Sequence, residues 1–146
     1  MAFFKSSKSQ VDEVQERCAR VTAIATVVRE KCEASLRGQY EYMQPEERAE
    51  LLREADALAG EFRRALEQAR ESQRAMERDQ APGEALLTAE SLVLSAGLDA
   101  NQADRALAEA KNNFVAGMNE IEEFYGPRSK EARHLRKIVA RFQTSG

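Results

Sequence analysis

Residues 86–124 read LLTAESLVLSAGLDANQADRALAEAKNNFVAGMNEIEEF. Small or apolar residues recur in it at alternating steps of three and four: Leu86, Ala89, Val93, Ala96, Ala100, Ala103, Leu107, Ala110, Phe114, Gly117, Ile121 and Phe124. A 3.5-residue period keeps one seam of a long helix facing a partner, so the stretch predicts a supercoiling helix. The same spacing runs through Val11, Val14, Cys18, Val21, Ala25, Val28 and Cys32, and through Leu52, Ala55, Ala59, Phe62, Leu66, Ala69, Gln73 and Met76.

The intervening residues punctuate these seams. Ser9 with Asp12 forms a capping pair that opens the first helix, after a flexible lead over 1–8. Gly38 is a possible left-handed cap, while Leu36, Tyr40 and Met43 carry the helical spacing on to about Met43. Pro45-Glu46-Glu47 suits a first helical turn, because proline there loses no hydrogen bond and acids complement the helix dipole. Asp79-Gln80-Ala81-Pro82-Gly83 is a turn, and Gly126-Pro127 is a stop. Gly97-Leu98-Asp99 leaves two readings of the third helix, continuous or split. Ser129 caps a short final helix.

Short connections make neighbouring helices antiparallel. The expected fold is therefore all-α: an antiparallel, coiled-coil-like bundle of three long helices over 9–127, each roughly 50–60 Å at ~1.5 Å per residue. A basic amphipathic helix over 128–146 lies on or beside it. This topology gathers Tyr40, Tyr42, Met43, Phe124 and Tyr125 at one pole, and Val11, Met76, Leu86 and Leu87 at the other. Ile24, Val27, Leu87, Leu92, Leu94 and Leu98 lie beside the seams, so the apolar arc is wider than three helices bury. The final helix can cover one groove and a second chain another. The outline resembles spectrin-like repeats and the regulatory three-helix domains of membrane-fusion proteins; the likeness is architectural and implies nothing about function.

Composition narrows the classes of function. The chain has 146 residues, 32% of them charged, one histidine and two cysteines. No uncharged run approaches the ~18–20 residues of a membrane span, and the start lacks a cleavable signal, so a cytoplasmic location is expected. Glu131 and His134 form one Glu-x-x-His pair, but a di-iron carboxylate bundle needs two. The single histidine forbids the second, and cysteines confined to one seam make no zinc set. The glycines are scattered rather than clustered in a phosphate loop, and no serine or cysteine has a general base beside it. The sequence thus predicts no catalytic residue, no metal and no cofactor. Cys18 and Cys32 read as small buried hydrophobes; the sharper readings are a cross-link between parallel chains or a redox thiol.

What remains is surface chemistry. Arg128, Lys130, Arg133, Arg136, Lys137 and Arg141 face Glu131 alone, a balance of +5 within a chain whose net charge is −3. On the same helix Ala132, Leu135, Ile138, Val139 and Phe142 form an apolar stripe. Docking on the acidic bundle, contact with a partner, and adsorption to an anionic membrane all fit such a helix. The acidic remainder disfavours nucleic acid. The partner-binding candidates are Tyr40, Tyr42, Phe124, Tyr125, Leu135, Ile138, Val139 and Phe142; aromatics at the pole either plug the bundle or recognise a partner. Phe3 and Phe4 in the lead are either a docking peptide or part of the packed bundle. The leading expectation is a non-catalytic interaction protein, an adaptor, chaperone-like subunit or structural component of an assembly, with the chain itself among its possible partners. The alternative is a peripheral binder of anionic membranes.

Overall fold

The computed structural model describes residues 6–144. Of these 89% are helical, and no strand occurs among them. The elements are α1 (Ser7–Gly38), α2 (Pro45–Arg78), α3 (Gly83–Tyr125) and α4 (Lys130–Thr144). The all-α arrangement of three long helices and a short final one is therefore as expected. The described residues divide into two compact units: unit 1 takes those up to Thr26 and 59–102, and unit 2 takes 27–58 and those from Ala103 on.

The helix ends show why the elements stop where they do. The Ser6 hydroxyl accepts the amide of Ser9 at 3.1 Å, so Ser6 caps α1 and the helix opens before the expected Ser9. At the other end, Met43 N donates to Gly38 O at 2.9 Å, with Tyr42 in the left-handed region at φ 59°. The α2 end repeats this: Ala81 N donates to Met76 O at 3.0 Å, and Gln80 has φ 54°. Both are six-to-one closures whose left-handed position is usually glycine. Gly38 is thus not the left-handed residue, and α1 does not run on to Met43. Its missing side chain serves packing instead: a Cβ there would sit 2.9 Å from Met43 Cβ and Sδ and 3.1 Å from Arg48 Cγ. Gly126, at φ 92°, ends α3 through its amide to Glu122 O at 2.9 Å. Ser129 caps α4 by accepting Ala132 N at 3.0 Å.

Unit 1 is three-helical. Val14, Cys18, Val21, Phe62, Leu66, Met76, Ala89, Val93 and Ala96 are buried in it. The Gln10 side chain donates to Asp79 at 3.0 Å, and Arg17 donates to Gln68 O at 2.9 Å and Ser72 Oγ at 2.6 Å, which aligns α1 and α2 antiparallel. α3 runs unbroken through Gly97. Ala96 and Ala100 stay buried on either side, and Asp99 accepts from Thr22 at 2.8 Å rather than opening a new helix. Leu87 does not join Met76 in the core; it is 67% exposed.

Unit 2 gains α4 as a fourth helix. Val28, Cys32, Leu52, Leu107, Phe114 and Met118 are buried with Ala132, Leu135, Ile138 and Phe142. The rings of Phe114 and Phe142 meet edge-on at 5.5 Å. Arg48, only 5% exposed, ties α2 to α1: its Nε donates to Ser35 O at 2.9 Å, and Ser35 Oγ donates back to Arg48 O at 3.2 Å. Its guanidinium lies 5.3 Å from the Phe114 ring centroid. Beyond Phe114 the seam of α3 changes phase. Met118 is buried in place of Gly117, and Ile121 and Phe124 are exposed. A straight α-helix drifts about 20° per heptad against a 3.5 repeat, so over four heptads the sequence seam has rotated out of the core.

Candidate interaction surfaces

The four pole aromatics do not plug the fold. Tyr40 is 80% exposed, Tyr42 93%, Phe124 83% and Tyr125 51%. Phe124 and Tyr125 stack edge-on at 5.3 Å, so they shield one another. Tyr40 and Tyr42 stand on the α1–α2 connection, and no ring contact joins them to the other pair among the described residues. The reason is local. The closure at Met43 turns Met43 toward Gly38 and leaves both tyrosines on the outside of the turn. At the end of α3, the phase drift carries Phe124 away from the buried side.

Tyr42 has two liabilities at once. Its ring is in water, and its backbone holds a conformation that costs an L-residue about 1–2 kcal/mol relative to glycine. Among the described residues the Tyr42 side chain makes no hydrogen bond and no ring contact.

The final helix uses its two faces differently. Leu135, Ile138 and Phe142 are buried within unit 2, and Val139 is half-buried. Leu135, Ile138 and Phe142 are packing residues rather than a free partner surface, because buried side chains of this size contribute about 1.5–3 kcal/mol each to docking. The docking is reinforced by charge. Arg136 donates to Glu122 at 2.7 Å and to Pro127 O at 2.7 Å, and His134 Nε2 bonds Glu46. Glu46 sits in the first turn of α2, where backbone amides, then the His134 hydrogen bond, hold its carboxyl below the usual range. Arg128, Lys130, Arg133, Arg136, Lys137 and Arg141 are all exposed. Lys130, Arg133, Lys137 and Arg141 follow the helical repeat and line the face opposite the docked stripe.

Other chemistry is sparse. Glu131 and His134 do not form a ligand pair, since His134 turns to Glu46. No group of three or more His, Cys, Asp or Glu side chains is placed to hold a metal among the described residues. Cys18 and Cys32 are free buried thiols. Burial raises both, Cys32 to about 11 even though Lys111 draws it down. No helix among the described residues is long and apolar enough to cross a membrane. Phe3, Phe4 and Lys5 lie outside the described residues.

Part of the apolar arc expected beside the third seam stays on the surface. Leu87, Leu94 and Leu98 are exposed along α3, and a separate groove of about 420 Å³ between α1 and α3 is lined by Cys18, Ala19, Thr22, Leu92, Ser95 and Ala96. Leu92, named with them in the sequence, instead lines the groove. Compared with family models, curated proteins and solved structures, the chain matches none.

Proposed function

We propose that this is a non-catalytic helical-bundle interaction protein of the cytoplasm, an adaptor, chaperone-like subunit or structural component of a larger assembly, that meets a protein partner through its exposed aromatics. Tyr42 is the observation that carries the reading: a ring 93% exposed, on a backbone with φ 59° where glycine costs less. Tyrosine is favoured at binding hot spots because it offers a large rigid face with one polar tip. The test is affinity capture from the source lysate with the parent chain and with Tyr42→Gly. A protein recovered by the parent and depleted at least tenfold with the variant supports the reading. Equal recovery with both, or none with either, overturns it.

A second reading rests on the outward cations of α4. With its apolar stripe docked, this helix adsorbs to an anionic bilayer by charge alone, at ~1 kcal/mol per cation near the surface. Flotation with anionic and neutral vesicles separates the two readings. Recovery only with anionic vesicles, lost when Arg133 and Lys137 are replaced by Glu, supports adsorption. Binding to neither vesicle, or equally to both, defeats it.

A further inference from the structure

Unit 2 buries a charge that nothing in its fold neutralises. Arg48 is only 5% exposed. Its Nε donates to Ser35 O at 2.9 Å, and its guanidinium carbon lies 5.3 Å from the Phe114 ring centroid. The two Nη nitrogens carry the rest of its donors, and neither has an acceptor among the described residues. No carboxylate pairs with the group. Neither Nη is sealed from water, since Arg53 Nε alone among the described residues is a buried side-chain nitrogen or oxygen without a partner.

Buried charges are ordinarily paired, because removing an ion from water costs more than packing returns. Arg48 bears a second cost. It stands in the opening turns of α2, at the end of the helix dipole that repels a cation. Burial holds its pKa below the ordinary arginine value, yet a guanidinium stays charged at neutral pH. Glu46 and Glu47 share the first turn but are exposed; Glu46 is engaged by backbone amides and His134, and neither acid pairs with Arg48. A methionine here would pack without either cost.

The position of the cation matters as much as its isolation. A Cβ at Gly38 would sit 3.1 Å from Arg48 Cγ, and Gly38 and Met43 close the turn that carries Tyr40 and Tyr42. The unpaired fork therefore belongs to the connection on which the exposed tyrosines stand. Paired N–H groups match the two oxygens of a carboxylate. A single cation with Glu41, Glu46 and Glu47 on the adjoining turn suits a monoanion better than a doubly charged phosphate. We infer that the Arg48 fork is a carboxylate-binding site, to which the partner met by the exposed tyrosines brings an acidic side chain or its C-terminal carboxylate. The partner's part rests on the aromatic reading; the site itself does not.

Acetate is the probe for the site. Isotope-labelled protein is titrated to about 100 mM acetate at constant ionic strength, chloride giving way to acetate, so that screening stays fixed. The Arg48 Nε–H and the Gly38 and Met43 amides are followed by NMR. Saturable shifts are expected for the parent and for Tyr42→Gly, with a Kd on the order of 1–10 mM for two charge-assisted hydrogen bonds. Arg48→Met should retain parental helicity and lose the response of both amides. Arg48→Lys keeps the charge without the fork and should bind at least fivefold more weakly. A parent whose signals fail to saturate or do not move overturns the proposal, as does either Arg48 variant that binds like the parent. The partner's part is tested with the capped tripeptides Leu-Asp-Leu and Leu-Asn-Leu. Only the first should bind, and Tyr42→Gly should weaken it about tenfold while leaving acetate binding unchanged. Equal binding of the two tripeptides overturns the carboxylate assignment. Normal acetate binding beside a lysate capture that Tyr42→Gly leaves unchanged strikes the aromatic reading alone, so the two failures are distinguishable.

Discussion

Gly38→Ala should destabilise the protein, although Gly→Ala in a helix ordinarily does the reverse. Alanine gains about 0.5–1 kcal/mol over glycine inside a helix, and less at its final residue. Gly38 is that final residue, and it is buried. Its new methyl would stand 2.9 Å from Met43 Cβ, an atom fixed by the backbone of the turn, and 3.1 Å from Arg48 Cγ. Met43 Sδ, also at 2.9 Å, can swing aside; Met43 Cβ cannot without moving the closure that bonds Met43 N to Gly38 O. Overpacking of this kind costs about 1–3 kcal/mol, so the net loss is about 1–2 kcal/mol. Gly60, Gly97 and Gly117 provide the internal comparison. Nothing lies within 4 Å of a Cβ at Gly97 or Gly117, and only Arg64 Nη1, at 3.7 Å, at Gly60. Each Gly→Ala there should stabilise by about 0.5–1 kcal/mol. Urea unfolding followed by circular dichroism reads both signs. With a slope of ~2 kcal/mol/M, the midpoint falls by about 0.5–1 M for Gly38→Ala and rises by ~0.3–0.5 M for the others. Adding Met43→Gly to Gly38→Ala removes both clashing atoms, so the pair should cost less than the sum of the singles. A Gly38→Ala midpoint at or above the parent's would refute the steric reasoning.

The remaining expectations are shorter. Tyr42→Gly and Gln80→Gly each relieve a left-handed L-residue and should raise stability by about 1 kcal/mol in the same assay; a loss for both would mean the side chains pack after all. Native protein should react with no thiol reagent at pH 8 and two equivalents should appear in denaturant, because both thiols are buried and raised. The same shift makes a pH prediction. A thiol raised to about 11 on folding contributes stability that is present below its ordinary value near 9 and lost as pH climbs from there through about 11. Cys32→Ala should flatten that alkaline limb in urea titrations at successive pH values. Ile138→Asp should undock α4 and expose the chain near 128–130 to limited proteolysis, whereas Lys137→Glu, on the outer face, should not.

The long helices were legible because burial has a period, and the chain writes it without interruption from Val14 to Cys32, from Leu52 to Ala69 and from Ala89 to Phe114. The stops at Gln80 and Gly126 were legible from turn chemistry. Ser6 against Ser9 was not, since either hydroxyl can cap and only the realised turn chooses. Tyr42 was unreadable for a related reason: the left-handed position favours glycine, so a tyrosine there contradicts propensity. The partition of the apolar surplus was also beyond local reading. Which groove α4 occupies depends on Glu46 and Glu122, far apart in sequence, and on a phase drift that only accumulates over the length of α3. The site residues therefore divide. The α4 stripe proved to be core, and the aromatics thought able to plug the pole lie on the surface.

The Arg48 clasp has a consequence for the order of folding. Arg48 and Ser35 are 13 residues apart along the chain, whereas the Glu46–His134 contact spans 88. Closing a loop of about ten residues takes only ~10–100 ns, and longer loops cost more entropy before any contact rewards them. The turn from α1 into α2 can thus form while α4 is still free. Arg48→Met should slow refolding and leave the unfolding arm of the chevron nearly flat to the change. Loss of Phe142 should do the opposite, accelerating unfolding while the folding arm holds.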